Sequence, residues 1–259
     1  MTTQTHTESE SPSAAVIVAC GGTGARFNGS LPDTSSSGAD AKQFLDLAGQ
    51  PVLAHTLALI EKHPRVDFAI LVLPEGLLDK GRALVEGQRP DRGAPRFTKV
   101  RAMIAGGGDR QESVAKGLTV LADYGWQGPV LVHDGVRPCT PEQVFDRVID
   151  GVLANGNAVA AIPMRDTVKR ADSDGVVLET VDRKGLWQIQ TPQGFWTDEL
   201  IEAYREGRRR DLKVTDDAAL LEALGRRVYL VEGHPAGMKI TWPEDMVLLE
   251  ALLLSKKSC

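Results

Sequence analysis

The sequence predicts an α/β fold, a Rossmann-like, mostly parallel sheet flanked by helices, on three observations. Short β-branched apolar runs alternate with segments of helical periodicity. Two of those runs end in glycine-rich turns with an arginine just beyond, Gly21 to Arg26 and Gly106 to Arg110. A further run ends in Asp134, and ligands of such sheets gather at the carboxyl ends of the strands.

The polar, acidic residues 1–13 read as a disordered lead-in. Ala14 to Ala19, AAVIVA, then reads as a buried strand that the glycines end abruptly. Gly21, Gly22, Thr23 and Gly24 bring backbone N–H groups toward an anion, and Arg26 adds a cation. Lys42, in Lys42-Gln43-Phe44-Leu45, supplies a second. This segment reads as a holder of a nucleoside triphosphate; the alternative is a tight βα turn with no ligand. It lacks the G-x-x-x-x-G-K-[ST] loop, and Phe27 stands where a dinucleotide fingerprint needs glycine. Between Phe27 and Lys42 the Ser-, Gly- and Asp-rich stretch is either a loop that folds over the triphosphate or a surface insertion.

Helical spacing follows from Pro51 to His63, then a strand over Phe68–Leu73 stopped by Pro74. A charged helix runs to about Gly87, and residues 89–96 form a loop. Lys99–Ile104 is a third strand, and its turn, Gly106-Gly107-Gly108-Asp109-Arg110, opens a helix over Glu112–Tyr124. Val130–Val132 leads into His133-Asp134-Gly135-Val136-Arg137-Pro138. Asp134 is placed either to hold a hard cation such as Mg²⁺ or to cap its own turn. His133 reads as packed or hydrogen-bonded rather than catalytic. After a strand over Ala158–Ile162, two polar-rich strands within 163–185 form a hairpin that stands off the sheet. Asp216 and Asp217 read first as a helix cap, Trp187 and Trp196 as packing residues, and Glu206–Arg210 as a solvated helix face. Met238–Thr241 reads as a short strand before a helix opened by Trp242–Asp245, and residues 255–259 as a tail.

Across the 259 residues, 30 basic groups face 35 acidic ones, which offers no basic surface for nucleic acid. The three cysteines are far apart and suit a reducing compartment. No signal peptide, transit peptide or membrane-spanning run is evident, so a soluble cytoplasmic protein is expected.

The segments GGTGARF, AKQFL, GGGDRQESV, HDGVRP, PMRDTVKR, VDRKGLWQIQTPQGF, TDDAALLE and MKITWPEDM occur in this order along nearly the whole chain. In them the sequence resembles the cytidylyltransferases that make 4-diphosphocytidyl-2-C-methyl-D-erythritol in the non-mevalonate isoprenoid pathway. The resemblance implies a single nucleotidyltransferase domain over 14–254 that joins CTP to 2-C-methyl-D-erythritol 4-phosphate and releases pyrophosphate. It assigns transition-state stabilisation to Arg26 and Lys42, Mg²⁺ to Asp134, and nucleotide contacts to Gly21, Gly22, Thr23, Gly24, Gly107, Arg110 and Ser113 as well. It also implies that the hairpin is an arm embracing a second subunit, giving a homodimer. Thr167 and Arg183 then reach the neighbour's site, where they hold the acceptor phosphate with Lys239 and Arg137. Two readings compete with it: a polyol-phosphate acceptor such as ribitol 5-phosphate, and a non-catalytic nucleotide-binding regulator.

Overall fold

Residues Ala14–Ala19, apolar at every position, form strand β1, and a strand without a polar face needs cover on both sides. A computed structural model of the chain, describing residues 12–20, 41–87 and 96–257, shows how that cover is built. After β1 come the short β2 (Asp46–Leu47) and β3 (Gln50–Pro51), then α1 (Val52–Lys62), β4 (Val66–Leu73) and α2 (Leu78–Glu86). Next are β5 (Val100–Ala105), α3 (Arg110–Asp123), β6 (Pro129–Asp134), α4 (Glu142–Asn155) and β7 (Asn157–Pro163). The chain continues through β8 (Val168–Ala171), β9 (Val177–Val181), β10 (Trp187–Trp196), α5 (Thr197–Arg209), α6 (Ala218–Ala223), β11 (Leu230–Glu232) and α7 (Pro243–Lys257).

Seven strands make one sheet in the order β11-β7-β10-β6-β1-β4-β5. All its neighbours are parallel except β10, which runs antiparallel to both β6 and β7. The two faces follow from strand alternation. Val16 and Val18 pack with Leu53 and Leu57 of α1, Val85 of α2 and Phe145 of α4. Ala15 and Ile17 pack with Leu118 and Leu121 of α3, Leu200 of α5 and Leu220 of α6. A third, smaller cluster joins Leu47, Val136, Ile240 and Leu249, and it seats the segment around Lys239 beside the end of β6. Strand order reverses between β1 and β6, whose final residues Ala19 and Asp134 are register partners. An open parallel sheet offers its ligand crevice at such a point. No helix among the described residues is long and apolar enough to cross a membrane.

Three sequence expectations need correction or refinement. Met238–Thr241 is an extended strap, not a strand, because Ile240 N–H donates to Val136 O in a turn (3.0 Å) and not to a neighbouring strand. Trp187, expected to pack, begins β10 half-exposed at 41%, while Trp196 does pack against the core. The hairpin is present as β8 and β9, an antiparallel pair outside the main sheet, narrower than the 163–185 anticipated. Pro163 ends β7 and pairs with Trp187, which lies just past that range at the start of β10. The expected face at Glu206–Arg210 holds, with Arg208, Arg209 and Arg210 exposed.

Two measurements test this packing. A methyl at Gly194 of β10 would lie 2.5 Å from Val148 and 2.7 Å from Val152 of α4, with Leu131 at 2.9 Å. Gly194→Ala is therefore expected to lower urea-unfolding stability by about 1–3 kcal/mol through overpacking. His63 is fully buried against Phe145, and burial lowers its pKa despite Asp146 nearby. The unfolded ring titrates near about 6.5, so it takes up a proton there that the folded ring resists. This contribution is complete above that pH and is lost as pH falls below it. The urea midpoint should drop between about pH 7.5 and pH 5, and His63→Leu should flatten part of that slope.

Candidate active site

Asp134 ends β6 inside the crevice, almost entirely buried. Its Oδ1 accepts from Arg110 Nε at 3.2 Å, and its Oδ2 from Arg137 Nε at 3.1 Å. Lys239 Nζ lies 3.1 Å from Oδ2 as well. Burial alone would raise the carboxyl pKa, but Arg137, Lys239 and Arg110 overcome it and hold the group well below the usual carboxylate range. The carboxylate thus gathers cations and does not cap its own turn. With Asp217 also paired to Arg110, three cations face two carboxylates, which leaves one positive charge in excess. Of their side chains Lys239 is the most open at 35%, so the excess positive charge faces outward there.

Behind this ring the polar groups are locked. Thr191 Oγ1 accepts from Asp134 N–H at 3.1 Å and shares a hydrogen bond with His133 Nδ1 at 3.0 Å. His133 is fully buried against Phe145, and burial pushes its pKa down to about 3. It is a neutral packing residue, as expected.

The second glycine turn is built from its own side chains. Asp109 caps α3 by accepting Glu112 N–H at 2.8 Å. Ser113 Oγ accepts Gly107 N–H at 3.1 Å and donates to Asp109 O at 2.7 Å. A Cβ on Gly107 would sit 2.3 Å from that of Glu112, so only glycine fits. Ser113 is fully buried and shapes the turn, while Arg110 is the member of the trio that reaches Asp134.

Lys239 is brought in by the strap. Arg137 Nη1 donates to Gly237 O at 2.7 Å, and buried Gln190 ties down His234 through Nε2 (2.9 Å) and Oε1 (3.1 Å). Lys42 Nζ donates to Ile240 O at 3.2 Å, so both lysines belong to one locality. Thr167 and Arg183 do not join it within the chain. Both are exposed at the hairpin, where Arg183 donates to Arg165 O. Among the described residues neither bonds to the Asp134 cluster. Gly21, Gly22, Thr23, Gly24 and Arg26 lie outside the described residues, as does the stretch from Asn28 to Asp40.

The family model for 2-C-methyl-D-erythritol 4-phosphate cytidylyltransferase (IspD) matches residues 14–255. The chain belongs to that family. It is 40% identical over 242 residues to a protein of that name from Syntrophus aciditrophicus, covering 93% of this chain and 96% of the relative. A namesake from Geotalea uraniireducens is 41% identical over 222 residues, covering 85% of this chain and 92% of the relative. The crystal structure of 2-C-methyl-D-erythritol 4-phosphate cytidylyltransferase from Thermus thermophilus superimposes with a TM-score of 0.69 at 31% identity, over 94% of this chain and 99% of that one.

In this cytidylyltransferase-family chain some site residues escape a reading of the sequence. Gln193 Oε1 accepts the N–H groups of Asp217 (3.1 Å) and Ala218 (3.2 Å), and its Nε2 donates to Asp216 Oδ2 at 2.9 Å. Asp216 meets the capping expectation by accepting Ala219 N–H at 3.1 Å. Asp217 does not, because its side chain receives Arg110 Nη2 at 2.7 Å and Tyr204 OH at 2.5 Å. The paired glutamines around Thr191-Pro192 are the available signal, since amides flanking a kink can bond both ways. Asp134→Asn should cost about 3–5 kcal/mol in urea-unfolding stability, the cost of breaking a buried charge pair from one side.

Proposed function

We propose that this chain transfers the cytidylyl group of CTP to 2-C-methyl-D-erythritol 4-phosphate, giving 4-diphosphocytidyl-2-C-methyl-D-erythritol and pyrophosphate. The observation that carries the reading is the excess positive charge around Asp134, set at the crevice of a chain that matches this family from residue 14 to 255. A phosphate oxygen of the sugar phosphate forms the new bond to the α-phosphorus of CTP, and the bond to the pyrophosphate oxygen breaks in line with it. Both reactants are polyanions, so fixed cations lower the cost of bringing them together.

In this reading residues 14–254 form one nucleotidyltransferase domain. Arg26 and Lys42 stabilise charge at the α-phosphate. Gly21, Gly22, Thr23, Gly24, Gly107 and Arg110 surround the triphosphate, while Ser113 acts through the Gly107 turn. Arg137 and Lys239 face the acceptor phosphate. Asp134 suits Mg²⁺: three of the roughly four lone-pair directions of its carboxylate are taken, and one on Oδ1 remains. No three His, Cys, Asp or Glu side chains cluster among the described residues, so the ion would draw its other ligands from nucleotide phosphate and water. When bound, it neutralises charge on the transferring phosphates. Asp134 would hold it beside the cations already in place.

The hairpin serves as the arm of a homodimer. Val176, Val177 and Leu178 there are 55–60% exposed, apolar surface that a second copy would cover. Thr167 and Arg183 would then hold the acceptor phosphate in the neighbour's site. A reducing cytoplasm is the setting, which suits the buried thiols of Cys20 and Cys139.

The test is pyrophosphate release from CTP and Mg²⁺ with methylerythritol 4-phosphate or ribitol 5-phosphate as acceptor. Turnover should favour the former and stop on chelation of the metal. Preference for ribitol 5-phosphate would overturn the acceptor, and CTP binding without turnover on either would point to a regulator. Lys42→Ala should lower turnover by roughly 10²–10³ while CTP still binds. Arg183→Ala should raise KM for the sugar phosphate about tenfold, an acceptor-side loss that KM for CTP does not share.

A further inference from the structure

The contacts that leave Asp134 do not stop at Arg110. That guanidinium reaches Asp134 through Nε and Asp217 through Nη2, the second contact being the shorter at 2.7 Å. Asp217 is fully buried, and its other oxygen accepts the Tyr204 hydroxyl at 2.5 Å. Gln193 of β10 fixes the Asp217 backbone while Tyr204 of α5 fixes its side chain. Asp216 already supplies the cap of α6, so helix capping does not explain the second aspartate.

We infer that Asp217, with Tyr204 behind it, is the positioning residue that fixes the Arg110 guanidinium for the phosphates of the nucleotide. This rests on the nucleotide site proposed above. An arginine held at one N–H pivots about that bond, whereas one held at Nε and Nη2 by two carboxylates has its plane fixed. Nη1 is the nitrogen left over, and among the described residues it makes no hydrogen bond. Asp217 also gives Arg110 a counter-charge of its own. Asp134, shared among three cations, can then engage an incoming ligand without drawing Arg110 after it. Burial by itself would weaken the charge on Arg110, and Asp217 and Asp134 more than reverse that. Burial, reinforced by Asp217, raises the Tyr204 phenol well above its usual range, so it remains a donor throughout neutral pH.

The experiment measures CTP affinity by calorimetry, and KM for both substrates, in the full chain. The variants are Asp217→Asn, Tyr204→Phe, Arg110→Ala and each of the first two combined with Arg110→Ala. Asp217→Asn is expected to raise the CTP Kd about tenfold and Tyr204→Phe about threefold, while KM for the sugar phosphate moves less than about twofold. On the Arg110→Ala background either change should add less than about twofold, because the group they position is gone. Should Asp217→Asn fail to fold, Tyr204→Phe completes the same cycle. Equal effects on both backgrounds, or equal shifts for both substrates, would overturn the inference and leave the pair merely structural. Unaltered CTP affinity in Arg110→Ala would instead show that the nucleotide-site reading had failed, and the inference with it.

Discussion

Taking the Asp134 carboxylate out of water costs several kcal/mol unless cations follow it, and here they come from its own turn and from two other parts of the chain. Arg110 arrives on the first residue of α3, Arg137 on the turn after β6, and Lys239 on the strap before α7. Each must be delivered by its own scaffold. The glycine turn capped by Asp109 aims Arg110, and Arg137 holds both Asp134 and the strap carbonyl at Gly237. The two-faced sheet exists, in this sense, to bring the ends of β1 and β6 to the same height.

The same carboxylate explains why the crevice stays attractive to anions. It neutralises one of the three charges that surround it and Asp217 a second, and the third is left over. Structural ion pairs usually balance to near zero; this one is lopsided. Its polar backing is correspondingly closed, with Thr191 satisfying the Asp134 amide and a neutral His133 packed behind.

Much of this is legible in the sequence because local rules produce it. The β-branched run at Ala14–Ala19, the glycines at 106–108 and the aspartate after Val130–Val132 each announce their element without help from distant residues. Lys239 is legible only through its motif, since nothing in Met238–Thr241 shows that Val136 is its partner. Asp217 misleads for the same reason: paired aspartates before an apolar run look alike, and only the arrival of Arg110 from 107 residues away separates them. Gln190 and Gln193 carry no period or charge, so their roles appear only once β10 is placed between β6 and β7.

That placement has a consequence for how the molecule is made. β10 is the sixth of seven sheet strands in sequence, yet it lies third from the β11 edge, between two strands made well before it. Until residues 187–196 leave the ribosome, β6 and β7 each present an unpaired backbone edge, the kind of surface on which chains stick to one another. During synthesis the first half of the sheet can form, β5-β4-β1-β6, but the strand that joins it to β7 must wait. The late-arriving segment that closes the gap also carries Gln190, Thr191 and Gln193, so joining the two parts of the sheet also brings in the polar backing of the Asp134 cluster.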